Sequence, residues 1–140
     1  MADFEPTIIA FVCNWCTYTA ADLAGTSRLS YPSNVRLIRM MCTGMVDPKY
    51  VIKALLEGAD AVLISGCHPG DCHYINGNYK ARRRVKLLKE ILPRFGFDEG
   101  RVKLTWIGAS EGVDFAGTIK EMVEKVKALG PIETKTQMVI

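Results

Sequence analysis

Four short apolar runs alternate with longer stretches in which apolar residues recur every three or four positions. Thr7-Ile8-Ile9-Ala10-Phe11-Val12 is continuous and rich in β-branched residues, the pattern of a strand covered on both faces. Val35-Arg36-Leu37-Ile38-Arg39-Met40-Met41, Ala61-Val62-Leu63-Ile64 and Val102-Lys103-Leu104-Thr105-Trp106-Ile107 predict three more strands. A short helix is expected from Thr17 to about Gly25, with Ala20, Ala21, Leu23 and Ala24 on it. Asp47-Pro48 marks a second helix start, Asp as N-cap and Pro at the first helical position. Val51, Ile52, Leu55 and Leu56 follow at helical spacing until near Gly58. A third helix is predicted from Lys80 to about Phe95, its apolar side formed by Val85, Leu88, Ile91 and Leu92. The last helix repeats Phe115, Ile119, Met122, Val123, Val126 and Leu129 before Gly130-Pro131 stops it.

Strands alternating with helices in this way predict an α/β fold with right-handed crossovers. We expect one domain over residues 1–131, an open, mostly parallel four-stranded sheet with helices on both faces. A flavodoxin-like half-sheet of order 2-1-3-4 fits the element order. Residues 132–140 have no counterpart in the pattern and are expected to form a tail or a docking arm.

Composition narrows the class without naming a function. A chain of 140 residues that is 49% hydrophobic and 24% charged is one ordinary globular domain. Its net charge of +3 does not call for nucleic acid, and Met1-Ala2-Asp3-Phe4-Glu5-Pro6 lacks a secretory n-region. No apolar run approaches the ~20 residues that span a bilayer. Five cysteines are odd in number and too sparse for a secreted disulfide scaffold. A reducing cytoplasm with metal-binding or redox thiols is the better expectation.

The cysteines carry the candidate chemistry. Cys13 and Cys16 follow the first strand, Cys42 follows the second, and Cys67 and Cys72 lie in Ser65-Gly66-Cys67-His68-Pro69-Gly70-Asp71-Cys72-His73-Tyr74 after the third. Parallel strands gather their carboxyl ends at one sheet edge, so these residues converge in space. Cys67-x4-Cys72 has the spacing of the first pair in plant-type 2Fe–2S proteins, and Cys13-x2-Cys16 that of a chelating pair. Glycine in the loop lets backbone N–H groups turn toward sulfur. Structural zinc on four thiolates is an alternative, making the chain an interaction module. A thiol–disulfide oxidoreductase using Cys13 and Cys16 is another, because a strand-CxxC-helix order lowers a thiol pKa; it leaves three cysteines unexplained. His68 and His73 directly follow cysteines, which does not match Rieske spacing, so each is expected to donate to the site or pack the loop. Asp71 beside an anionic cluster calls for solvent or a base such as Arg82.

Lys80, Arg82, Arg83, Arg84, Lys86, Lys89 and Arg94 crowd the third predicted helix against a single Glu90. They form either a solvated face or a docking surface for an acidic partner. Without interleaved aromatics, nucleic acid is not the expected partner.

Cys13-Asn14-Trp15-Cys16, Cys42-Thr43-Gly44-Met45-Val46-Asp47-Pro48 and Gly66-Cys67-His68-Pro69-Gly70-Asp71-Cys72-His73-Tyr74 together resemble the iron–sulfur delta subunit of methyl-viologen-reducing hydrogenase, over nearly the whole chain. The resemblance implies a 2Fe–2S cluster and a non-catalytic electron-transfer subunit. It implies partners as well: the small and large subunits of a nickel–iron hydrogenase, the large flavin-binding subunit of heterodisulfide reductase, and formate dehydrogenase in the hydrogenase's place. Electrons from hydrogen would reach the reductase flavin for bifurcation in methanogenesis. Cys13, Cys16, Cys42, Cys67 and Cys72 fall on the family's motif cysteines, one more than the four ligands such a cluster takes. The expected strand order favours Cys13, Cys42, Cys67 and Cys72, with Cys16 free; the pair spacings alone leave Cys42 out instead.

Overall fold

The computed structural model describes residues 4–72 and 74–132. Strands β1 (Ile8–Cys13), β2 (Val35–Met40), β3 (Ala61–Gly66) and β4 (Val102–Trp106) form one parallel sheet in the order β2-β1-β3-β4. Helices α1 (Thr17–Thr26), α2 (Pro48–Leu56), α3 (Gly77–Ile91) and α4 (Gly112–Leu129) connect and flank it. The α/β class and the expected strand order are both present.

The central strands explain the unbroken apolar runs. Ile8, Ala10, Val12, Ala61 and Leu63 face Ala20, Ala24, Phe115, Ile119, Met122 and Val126 of α1 and α4. On the opposite face, Phe11, Val62 and Ile64 pack with Val51, Leu55, Val85 and Leu88 of α2 and α3. Successive side chains leave a strand on opposite faces, so two covered faces demand apolar residues throughout. Edge strand β2 alternates between half-buried and exposed positions over most of its length and tolerates Arg36 and Arg39.

Several boundaries differ from the sequence reading, each for a local reason. β3 runs on through Ser65 and Gly66 because these pair with Thr105 and Trp106 of β4. α3 starts at Gly77, ahead of Lys80, and the chain tightens into a 3-10 turn at Leu92–Phe95 around Pro93. The predicted start of α2 holds: the Asp47 carboxylate accepts from the Lys49 N–H at 2.8 Å, with Pro48 at the first helical position.

The amino edge of the sheet is a polar clamp. Asp60 accepts from the backbone N–H groups of Thr7 and Ile132, and buried Arg101 donates to the carbonyls of Asp60 and Gly130. These bonds fix the end of α4 and leave the carboxyl edge for the cysteines. Among the described residues, no helix is long and apolar enough to cross a membrane. The expected tail lies outside the described residues from position 133 onward.

Candidate metal centre

Order β2-β1-β3 sets three strand ends side by side, and the five cysteines gather there in two groups. Cys13 is the last residue of β1, Cys16 stands at the N-cap of α1, and Cys67 follows β3. Their sulfurs all lie within 4.8 Å of one another, with Cys13 and Cys67 3.8 Å apart. Cys42, past β2, and Cys72, in the loop before α3, form the second group at 3.7 Å. Cys13, Cys16, Cys42 and Cys67 are buried, and only Cys72 is partly open to solvent.

Two thiolates bound to one tetrahedral metal at about 2.3 Å sit ~3.8 Å from each other. Both the Cys13–Cys67 and the Cys42–Cys72 separations meet that bite. Cys16 belongs to the first group and also lies 3.8 Å from the Thr17 hydroxyl.

Protons are shared unevenly within each group. The Cys16 thiol donates toward Cys13 and, against the cost of burial, brings the Cys13 pKa down to about 6 with help from the Trp15 N–H and the Cys67 thiol. The same interaction, with burial, pushes the Cys16 thiol far up. Burial, only partly offset by the Gly44 N–H, raises Cys42 to about 11. Burial opposes ionisation of Cys72 too, but the N–H groups of Asn78, Tyr74 and Gly77 and the Cys42 thiol outweigh it and lower its pKa. Backbone donors thus surround the sulfurs, as an anionic iron–sulfur centre requires.

Glycines make room for this arrangement. A methyl group at Gly77 would lie 2.0 Å from Cys42 Sγ and 3.4 Å from Cys72 Sγ. Gly44 backs onto Gly77, where a methyl group would stand 2.9 Å from the Gly77 Cα. Asn78, buried at the start of α3, donates to the carbonyls of Cys67 and His68 at 3.0 Å and pins the loop. Arg84 donates to the carbonyls of Gly44 and Val46. It therefore supports the Cys42 turn, and belongs neither to the solvated face nor to the docking surface that were the two readings of the basic run. Beneath Cys16, Thr17 bonds Ser65 at 3.0 Å and the Ile107 carbonyl at 3.1 Å.

His68 pairs with Glu111, whose carboxyl is held below its ordinary range by the Gly108 N–H and by His68. Asp71 is exposed, and no ion pair links it to Arg82 among the described residues. His73 lies outside the described residues. Sequence reasoning missed Gly77, Asn78, Thr17 and Glu111. Only Gly77 and Asn78 carried a local signal, Asn76-Gly77-Asn78, which reads as a turn but opens α3.

The burial pattern weighs against thiol–disulfide exchange. Cys13 and Cys16 are 2% and 5% exposed, whereas an attacking thiolate must reach its disulfide. A single zinc ion would use the triad and strand the Cys42–Cys72 pair. The described residues thus offer a three-thiol group, Cys13, Cys16 and Cys67, and a two-thiol group, Cys42 and Cys72, to a metal centre.

Comparison with known proteins places the chain in a family and beside iron-sulfur subunits. The profile of the family described as methyl-viologen-reducing hydrogenase, delta subunit, matches residues 8–130. The iron-sulfur subunit of the vhc F420-non-reducing hydrogenase of Methanococcus voltae is 50% identical over 133 residues, covering 95% of this chain and 92% of its own. Its counterpart from the F420-non-reducing hydrogenase of Archaeoglobus profundus is 49% identical over 131 residues, 94% of this chain and 96% of its own. A third relative has a different architecture. It is a polypeptide of the ferredoxin/F(420)H(2)-dependent CoB-CoM heterodisulfide reductase of Methanosarcina acetivorans, 49% identical over 127 residues. That match covers 91% of this chain but only 16% of the reductase polypeptide.

Proposed function

Because the chain belongs to the delta-subunit family of methyl-viologen-reducing hydrogenases, we propose that it is an electron-transfer subunit linking a nickel–iron hydrogenase to heterodisulfide reductase. The observation that carries this reading is the pair of thiol pairs, Cys13–Cys67 and Cys42–Cys72, each spaced for one iron of a 2Fe–2S cluster. A bound 2Fe–2S cluster takes up and releases one electron at a time.

The chain's own residues hold, orient and insulate. Cys13, Cys42, Cys67 and Cys72 are the proposed ligands, and Cys16, within 4.8 Å of the Cys13 and Cys67 sulfurs, is proposed to support them as a neighbouring thiol. Backbone N–H groups at Gly44, Gly77 and Asn78 hold negative charge on sulfur, and Asn78 locks the Cys67 loop. Four of the five cysteines are buried, which excludes water and oxygen.

The Methanosarcina acetivorans relative supports the choice of partner, since there a domain like this one is built into a heterodisulfide reductase polypeptide several times its length. The flavin of the reductase is the proposed destination, with bifurcation downstream, and formate dehydrogenase is a further proposed donor. A cytoplasmic setting keeps the thiols reduced. In a mixture of hydrogenase and reductase under hydrogen, adding the parent chain should bleach the reductase flavin, and the doubly substituted Cys42→Ser, Cys72→Ser chain should not. Flavin reduction that proceeds equally without the chain contradicts the reading.

A further inference from the structure

The geometry points to a docking face for the electron-transfer partner over the Cys42–Cys72 pair, with Ile75 as its anchor. This rests on the function proposed above and adds to it which corner of the site meets the partner. The observation behind it is a costly backbone. Ile75 has φ +72°, a left-handed conformation that β-branched residues rarely adopt, yet its side chain is 81% exposed. Folding gains nothing from holding an isoleucine there, because Asn or Gly adopts that conformation more readily and no core waits for the side chain.

The surroundings have the form of an interface. Beside Ile75 lies a concavity of about 450 Å³ bordered by Met41, Met45, Tyr74 and Lys80, with Cys42 and Gly77 in its wall. Met41, Met45 and Tyr74 are each between 43% and 55% exposed, so apolar surface is contiguous around the cysteine pair. Large exposed apolar groups clustered this closely mark a binding surface, and methionines adapt to a partner's shape. Cys72, the cysteine most open to solvent, belongs to this corner. The opposite corner has a smaller concavity of about 330 Å³, lined by Trp15, Cys16, Cys67, His68 and Asp71, and there the His68–Glu111 pair and the Asp71 carboxylate replace a contiguous apolar surface.

Charge decides the kind of partner. Lys80 borders the concavity, Arg83 follows one turn along α3, and among the described residues no carboxylate lines the concavity. The face therefore fits a protein surface with an apolar centre and an acidic rim. Its occupant is the large heterodisulfide reductase polypeptide, the chain that carries a built-in copy of this domain in one relative. The knob of Ile75 enters an apolar socket on that partner, while an apolar side chain of the partner fills the concavity.

The test uses the full chain, reconstituted with iron and sulfide, and the purified large reductase polypeptide as the probe. Ile75→Asn should weaken binding by about tenfold or more, as loss of an anchor residue does. It should also raise the melting temperature by about 2–4 °C through relief of the left-handed strain, with iron per chain unchanged. Lys80→Glu should weaken binding chiefly at low salt. Leu87→Asn, which alters an exposed residue farther along α3, should bind like the parent. The inference is overturned if the parent does not bind the reductase polypeptide, if Ile75→Asn binds as the parent does, if Leu87→Asn is equally weakened, or if the loss appears toward the hydrogenase instead. Iron content reports separately on the cluster: a chain without iron that still binds through Ile75 contradicts the cluster and leaves the docking face standing.

Discussion

Gly77→Ala is expected to strip the site of iron while leaving the sheet folded. The added methyl group would lie 2.0 Å from Cys42 Sγ, a distance no packed atoms tolerate, so the sulfur must move. It has little room to do so. Gly44 closes the other side of Gly77, and the Gly44 N–H already donates to the same sulfur at 3.3 Å. Overpacking of this kind costs about 1–3 kcal/mol even where neighbours yield. A cost of about 1–3 kcal/mol against the ligating position weakens the binding constant by about 5- to 150-fold, so iron per chain should fall well below that of the parent. The core beneath is built from β1, β3, Val102 of β4 and the four helices, and Gly77 is not among its residues. Far-ultraviolet circular dichroism should therefore match the parent. Gly117→Ala is the control, because a methyl group there meets nothing within 4 Å. Parental iron content in Gly77→Ala would show that the Cys42–Cys72 pair is not a ligating pair.

The cysteine substitutions should separate by group. Cys42 and Cys72 form a group of two thiols, so Cys42→Ser and Cys72→Ser each leave that corner with a single sulfur and should lose the cluster. Cys13→Ser and Cys67→Ser should lose or distort it, since these two share the 3.8 Å bite. Cys16→Ser should retain it, because Cys13 and Cys67 already supply the 3.8 Å pair on that side and a serine hydroxyl can donate to Cys13 in place of the thiol. Bound iron in the five single variants distinguishes these cases. Retention in Cys42→Ser together with loss in Cys16→Ser would reverse the ligand assignment.

The architecture was legible in the sequence because its causes are local or periodic. Unbroken apolar runs in β1 and β3 signal strands covered on both faces, and Asp47-Pro48 signals a capped helix. Convergence of the cysteines followed from strand order alone. The grouping of the sulfurs was not legible, since it depends on how the Cys67–Cys72 loop folds back over α3 and not on spacing. Gly77 reads as a turn residue, and its role appears only when Cys42, 35 positions earlier, is placed against it. Arg84 looked like one more member of a basic run; its carbonyl partners are 38 and 40 residues away, on a different element. The pairing of Glu111 with His68 spans 43 residues and leaves no local pattern.

The most direct test of the central claim is iron and acid-labile sulfide analysis of the anaerobically reconstituted chain, joined to electron paramagnetic resonance of its reduced form. The account predicts about two irons and two sulfides per chain, and a dithionite-reduced spectrum of a single 2Fe–2S centre. Zinc in place of iron, a four-iron spectrum, or iron and sulfide near zero would contradict it.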